Sequence, residues 1–212
     1  MIKHGVDEKI FHACIVGMVT IAAVSMVLPF LHLVAVAFSG NRSVVYNTVF
    51  IWPKDFQYRT MGYVMRSPQI LNSFLNSLYI TGTGTSLSLL VTAMMGYPLS
   101  KRFIRVRYIL LPAVIITLLF KPGIIPTYMI VRCVGLLDTR WALMIPVLIN
   151  PFYLIIMMMF FEKLPRSVEE SAIIDGAGTG TVFVRIVVPL STSGLAVIVL
   201  FYAVERWNEF FL

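Results

Sequence analysis

Apolar residues in this chain fall in long unbroken runs, without the period-2 or period-3.6 alternation that marks half-buried soluble elements. Phe11 to Phe38, Leu71 to Leu99 and Trp141 to Phe161 contain no Asp, Glu, Lys or Arg, and Ile186 to Val204 is also uncharged. A spanning helix needs about 20 largely apolar residues, so each run predicts one. A fifth, Tyr108 to Val131, is interrupted by Lys121-Pro122-Gly123. Backbone polar groups in lipid must be satisfied internally, which leaves helices or a closed barrel. These runs are too long and too uniformly apolar for barrel strands of about 10 alternating residues. The pattern predicts an all-α, polytopic transmembrane bundle with spans at about 11–38, 71–99, 108–131, 141–161 and 186–212, after a short tail over 1–10.

The first span follows Lys3 and Lys9, but its apolar region far exceeds the roughly 7–15 residues of a signal peptide, which predicts an uncleaved first helix. Ser39 to Ile70 reads as a loop of mixed polarity, with Trp52 and Tyr58 suited to a membrane interface. The second span carries Asn72, Ser73, Asn76, Ser77, Thr81, Thr83, Thr85, Ser86 and Ser88. That is too many polar groups for a lipid-facing helix, so it faces other helices or a watery path. The third run admits two readings. A charge and helix breakers at membrane depth mark protein interior or water; alternatively the helix ends near Phe120 and Ile124 to Val131 lies in the outer leaflet.

Polar residues return at Lys163 to Arg185. Pro165 closes the preceding helix, and Ser167 with Glu170 has the spacing of a capping box, which predicts a new helix ended by Gly176. Its face of Ser171, Ala172, Asp175 and Gly176 is small, so a partner backbone can come close. A helix of about two turns is marginal alone and must be held by packing. On pattern alone, an ordinary amphipathic connecting loop is the favoured reading.

Composition agrees with the membrane reading: 58% of residues are hydrophobic and 13% charged, against about 25% charged in soluble domains. The net charge of +7 is mainly a topology signal. With the N-terminus inside, the inner segments hold Lys3, Lys9, Lys101, Arg102, Arg105, Arg107, Lys163, Arg166 and Arg185, and the outer ones Arg42, Lys54, Arg59, Arg66, Arg132 and Arg140. Basic residues concentrate on cytoplasmic loops, and the short Lys101–Arg107 loop decides for an inside N-terminus. The clusters are short and pinned at helix ends, unlike a nucleic-acid patch. Cys14, Cys133 and the three histidines have no metal-ligand spacing. No His-Glu-x-x-His, Gly-x-Ser-x-Gly or Gly-Lys occurs, so neither a zinc protease site, a nucleophile elbow nor a Walker phosphate loop is present. Gly176-Ala177-Gly178-Thr179-Gly180 follows a short polar helix, not the strand of a dinucleotide turn. Thr81-Gly82-Thr83-Gly84-Thr85 reads as a close helix-packing surface.

The segment Glu170-Ser171-Ala172, then Gly176, then Ile186-Val187-Val188-Pro189 resembles the inner-loop signature of bacterial ABC importer permeases: Glu-Ala-Ala, three residues, Gly, nine residues, Ile-x-Leu-Pro. It departs at Ser171 (Ala in the family) and Val188 (Leu in the family), and both changes keep the packing character. Asn76-Ser77, Gly96-Tyr97-Pro98-Leu99-Ser100, Ile125-Pro126-Thr127-Tyr128, Gly135 to Leu143, Leu164-Pro165, Ile174-Asp175-Gly176-Ala177 and Trp207-Asn208 are similar to the carbohydrate branch related to the maltose permease. Leu28-Pro29-Phe30 with Trp52-Pro53 is similar to a sub-branch linked to polysaccharide-derived oligosaccharides.

The resemblance implies a MetI-like permease fold with five of an expected six spans before Leu212, hence a C-terminally truncated chain. It implies a multi-pass protein of the bacterial cytoplasmic membrane, N-terminus cytoplasmic, with no cofactor of its own and no bond-making chemistry. Its implied partners are a second homologous permease, two cytoplasmic ATPases that bind ATP, an extracytoplasmic solute-binding protein, a sugar or oligosaccharide, and membrane lipid, with no nucleic acid. The 163–185 loop becomes the ATPase-coupling loop, its residues Glu170, Ser171, Ala172, Asp175, Gly176, Ala177, Ile186 and Pro189. Lys121, Asn150 and Tyr153 are expected on the translocation path, because amide and aromatic groups suit neutral, hydroxyl-rich sugars. The shared loop also fits a permease for another solute, such as a peptide or polyamine, or a non-functional fragment. A membrane-embedded enzyme lacks its catalytic cluster, and a stand-alone secondary transporter or channel lacks an internal repeat.

Overall fold

The computed structural model describes residues 6–120 and 122–209. Its regular structure is helical, with no strand among the described residues. The expected path residue Lys121 and the end of the fifth span, 210–212, lie outside the described residues. The chain forms two compact units, Met1–Ser73 and Phe74–Leu212.

In the first unit, α1 (Val6–Ala37) has 32 residues, about 48 Å at ~1.5 Å per residue. Its side chains from 9 to 31 are exposed on every face, as in a helix whose solvent is lipid. The loop beyond it is tied to itself. Ser39 Oγ donates to the Ala35 carbonyl at 2.6 Å and accepts from Lys54 N–H at 3.0 Å. Ser43 Oγ donates to Asp55 Oδ2 at 2.6 Å, and the Phe38 and Phe56 rings stack at 5.6 Å. Two short helices, α2 (Asn41–Val45) and α3 (Arg59–Arg66), complete this segment.

Helix α4 (Pro68–Ser100) leads into the second unit. Gly84, Ser88, Thr92, Gly96 and Ser100 recur every fourth residue and are all buried, forming one stripe of small side chains that lets neighbouring helices approach closely. A Cβ on Gly96 would stand 3.5 Å from Met157 Cγ. Thr92 and Ser88 are fully buried. The second unit continues with α5 (Arg107–Leu119), α6 (Ile124–Cys133), α7 (Pro151–Glu162), α8 (Arg166–Ile174), α9 (Thr179–Val182), α10 (Val188–Leu190) and α11 (Thr192–Trp207). The core has two patches: Ala93, Met157, Phe161, Val182, Val187, Ile198 and Tyr202 in one, and Leu99, Val114, Leu154 and Met158 in the other. Packing is tight where α7 meets α11: a Cβ on Gly194 would fall 2.6 Å from Phe160 Cγ.

Three of the expected spans are not single straight helices. The third ends at Leu119 and resumes at Ile124, with Pro122 and Gly123 in the gap. The fourth run, expected over 141–161, is helical as α7 only from Pro151; its first half is a 3₁₀ turn at Arg140–Leu143 followed by irregular backbone. Pro146 and Pro151 lack an N–H and push the preceding residue out of helical geometry, a constraint that apolar composition masks. The fifth is bent by 80° between Thr179–Leu190 and Thr192–Trp207. Pro189 has no N–H to return to the preceding turn, and that turn, Phe183–Val187, has widened into π geometry. By length and apolarity, Lys9–Ala37 and Pro68–Ser100 each suffice to cross a membrane, and the bent pair passes the same test when joined.

Candidate functional site

Helix α8 is built from the polar segment between α7 and the π turn. Its N-cap is Pro165, with no side-chain cap, so the expected capping box at Ser167 and Glu170 does not form. Proline already pre-sets the chain entry, which places Ser167 inside the first turn. The C-terminus follows expectation. Gly176 has φ +86°, Gly176 N–H donates to the Ile173 carbonyl at 3.0 Å, and Ala177 N–H to the Ala172 carbonyl at 2.9 Å. This is a Schellman closure, and its left-handed residue costs an L side chain roughly 1–2 kcal/mol. No atom lies within 4 Å of a Cβ built on Gly176, so glycine is required here by conformation and not by close approach within the chain.

The expected coupling residues divide between two faces. Ala172, Ala177 and Ile186 pack against the Val182–Val187 core patch. They hold α8 on its own scaffold, where Ala172 is half-buried. Glu170, Ser171, Asp175, Gly176 and Pro189 are exposed. Beside them Ile173 is 54% and Ile174 85% exposed, a pair of large apolar side chains that the sequence reading passed over.

Glu169 was also missed. It turns inward, one of the few buried charged residues. Lys101 Nζ donates to its two oxygens at 2.6 and 2.5 Å, and the Tyr97 hydroxyl donates to Oε2 at 3.1 Å. Lys101 Nζ also stands 4.7 Å from the Tyr97 ring centroid. This clamp ties α8 to the end of α4. A second pair, Arg107 Nη1 to Glu162 Oε1 at 2.7 Å, ties the start of α5 to the end of α7. The available signal was spacing: Glu169 lies three residues before Ala172, on the same helical face. A cleft of about 530 Å³ opens beside the clamp, walled by Phe103, Ile104, Ile173 and Phe183.

Deeper in the unit, Asn150 and Tyr153 come together. Asn150 caps α7, its Oδ1 accepting from Phe152 N–H at 3.0 Å. Its backbone N–H donates to the Tyr202 hydroxyl at 3.0 Å, and its Nδ2 to Glu205 at 3.2 and 3.4 Å. With Leu118, Phe152 and Phe201 these residues line a recess of about 410 Å³. Glu205 was not among the expected residues, because the uncharged run was read as ending at Val204.

Arg206 is the deepest charge, 4% exposed. Its Nη1 donates to the Leu143 carbonyl at 2.7 Å; its Nη2 donates to Ser88 Oγ at 2.8 Å and to the Val147 and Met144 carbonyls at 3.0 and 3.2 Å. The guanidinium thus satisfies the carbonyls that the irregular 143–150 segment leaves unpaired. Gly84 provides its berth, with Cζ and Nε 3.4 Å from where a Cβ would stand. Among the described residues, no group of three or more His, Cys, Asp or Glu side chains is placed to hold a metal.

No protein-family model matches the chain. Protein LplC of Bacillus subtilis is 44% identical over 203 residues, covering 96% of this chain and 69% of the relative. The polygalacturonan/rhamnogalacturonan transport system permease protein YtcP of the same organism is 40% identical, covering 96% and 71%. Among solved structures, a bacterial ABC transporter involved in import of the acidic polysaccharide alginate superposes with a TM-score of 0.91 at 29% identity, covering 98% of this chain and 74% of that one. The inward-tied surface helix, the broken apolar helices and this degree of identity together place the chain in the family of ABC-transporter permease subunits, integral membrane transport proteins and not enzymes.

Proposed function

We propose that this chain is one membrane-spanning permease of a binding-protein-dependent importer that carries a sugar or oligosaccharide into the cell. A homologous permease forms the other half of the path, two cytoplasmic ATPases bind and hydrolyse ATP, and an extracytoplasmic binding protein delivers the solute. The permease itself holds no cofactor. The observation that carries this reading is α8: its inner face is fixed by Ala172, Ala177 and the Glu169 clamp, while Ile173 and Ile174 project from its outer face. Burying one such side chain in a partner groove gives about 1.5–3 kcal/mol, and the fixed inner face makes the helix a rigid handle. ATPase closure displaces that handle and switches the spans between inward- and outward-facing states. The relatives' carbohydrate names and the amide–aromatic recess support a saccharide as cargo.

In the reconstituted importer, a photo-crosslinker attached to a cysteine at Ile174 is expected to capture the ATPase subunit, and one at Trp141 is not. Equal capture at both sites, or none at Ile174 in an assembled complex, refutes the docking assignment.

We further propose five crossings with the N-terminus inside, so that the Lys101–Arg107 and Lys163–Arg185 loops face the cytoplasm. Ser43 and Ser100 are buried and unsuitable as probes, whereas Tyr46 and Phe103 are exposed. With exposed Cys14 and Cys133 replaced, an impermeant thiol reagent applied to intact cells is expected to label a cysteine at Tyr46 and to reach one at Phe103 only after permeabilisation. Labelling at Phe103 from outside overturns this topology.

A further inference from the structure

The recess at the start of α7 carries a group that the permease reading alone leaves without a role. Glu205 is half-buried there, beside the N-terminal end of α7. From Glu162, which pairs with Arg107 at the charged end of the helix, the twelve residues of α7 rise about 18 Å. Half of a bilayer's hydrocarbon core is about 15 Å, so on the proposed topology, with Glu162 at the inner surface, Asn150 and Glu205 reach its middle. Intramembrane carboxylates are costly, and they mark cargo paths or water-filled cavities.

The surroundings are those of a saccharide contact. Tyr153 and Phe201 stack at 5.5 Å between centroids with 27° between planes, and Phe152 flanks Tyr153 at 6.0 Å. These rings give an apolar wall for the C–H face of a pyranose. Asn150 Nδ2 is the amide donor shared by both Glu205 oxygens; an ionised carboxylate offers about four acceptor sites, so lone pairs remain for sugar hydroxyls. Among the described residues no lysine or arginine lines the recess. The neighbouring Arg206 is turned away, its guanidinium engaged by Ser88 and the 143–147 carbonyls.

We propose that Glu205 is a specificity-determining residue of a saccharide-contact site formed with Asn150, Tyr153 and Phe201, and that its carboxylate favours neutral sugars over uronates. The inference rests on the carbohydrate reading above and adds the charge class of the cargo. A neutral hydroxyl donates to the carboxylate, whereas a uronate brings a second negative charge into a half-buried site, and like charges so placed repel strongly.

The test is uptake by the complete importer of neutral and uronate oligosaccharides of equal length. The same binding protein serves every variant, so its own preference cancels in the ratio. Glu205→Gln is expected to raise uronate uptake relative to neutral uptake by roughly tenfold or more. Glu205→Asp, which keeps the charge, is expected to keep the original ratio. Leu118→Arg places a cation at the recess, and it is expected to shift the ratio in the same direction as Glu205→Gln. A purely structural role for Glu205 would lower uptake of both sugars together. An unchanged ratio in the assembled Glu205→Gln and Leu118→Arg importers overturns the assignment of Glu205 and leaves the carbohydrate reading standing. Failure of the unaltered importer to take up either class overturns both.

Discussion

Replacing Arg206 with methionine is expected to remove about 3–6 kcal/mol of stability and to abolish uptake. A buried carbonyl left without a donor costs about 1–3 kcal/mol, and three carbonyls, on buried Met144 and half-buried Leu143 and Val147, depend on this guanidinium. Methionine fills much of the volume but donates nothing. Irregular backbone at membrane depth is tolerated only where it is buried in protein or lines water, so the 143–150 segment must shift toward water or unfold. Lysine has three donors on a single nitrogen, whereas the guanidinium spreads five across a fork, so Arg206→Lys is expected to recover part of the loss. Thermal unfolding of the purified subunit complex in detergent measures both. An unshifted transition in Arg206→Met would show that the irregular segment is held by other means.

Breaking the Lys101–Glu169 clamp is the second large effect. The two side chains are 17% and 10% exposed, and removing one partner of such a pair leaves a charge in a poorly solvated place, at a cost of about 2–4 kcal/mol. Lys101→Met is expected to free the inner face of α8 from α4, so that ATP hydrolysis continues while solute uptake falls at least about tenfold. The Lys101→Glu, Glu169→Lys double exchange restores an ion pair in place and is expected to recover much of the coupling. The ratio of solute imported to ATP hydrolysed is the readout. If Lys101→Met preserves that ratio, α8 acts on the spans by another route.

The class of this protein was legible because lipid solvation leaves a coarse mark: long uncharged runs separated by basic loops. The closure of α8 at Gly176 was legible because the left-handed turn is a local demand on one residue. The break in the fourth run was not. Pro146 and Pro151 stood in plain sight, but an apolar stretch reads as helix until something explains how its free carbonyls are paired. The explanation is Arg206, 63 residues from Leu143 and 118 from Ser88, a distance at which no local pattern reports. Glu169 was hidden differently. In a Glu169-Glu170 pair, the resemblance drew attention to the exposed member, and the other is buried in a helix that starts at Arg166, two residues earlier than the capping pattern implied. The internal packing of Ala172 was not legible either, because a small residue serves internal contacts as readily as external ones.

One hydroxyl sets the scale of motion in the second unit. Tyr202 Oη on α11 meets Thr92 Oγ1 on α4 at 2.7 Å and accepts the Asn150 N–H at the head of α7 at 3.0 Å. Three helices are therefore riveted at one point, with a second rivet between α4 and α11 at Ser88 and Arg206. Sliding or turning any one of the three parts a hydrogen bond to Tyr202, so the three are expected to move as a trio. On the proposed coupling route, a push delivered through Lys101 to the foot of α4 would reach the mouth of the recess with its geometry preserved, as a crank carries its pin.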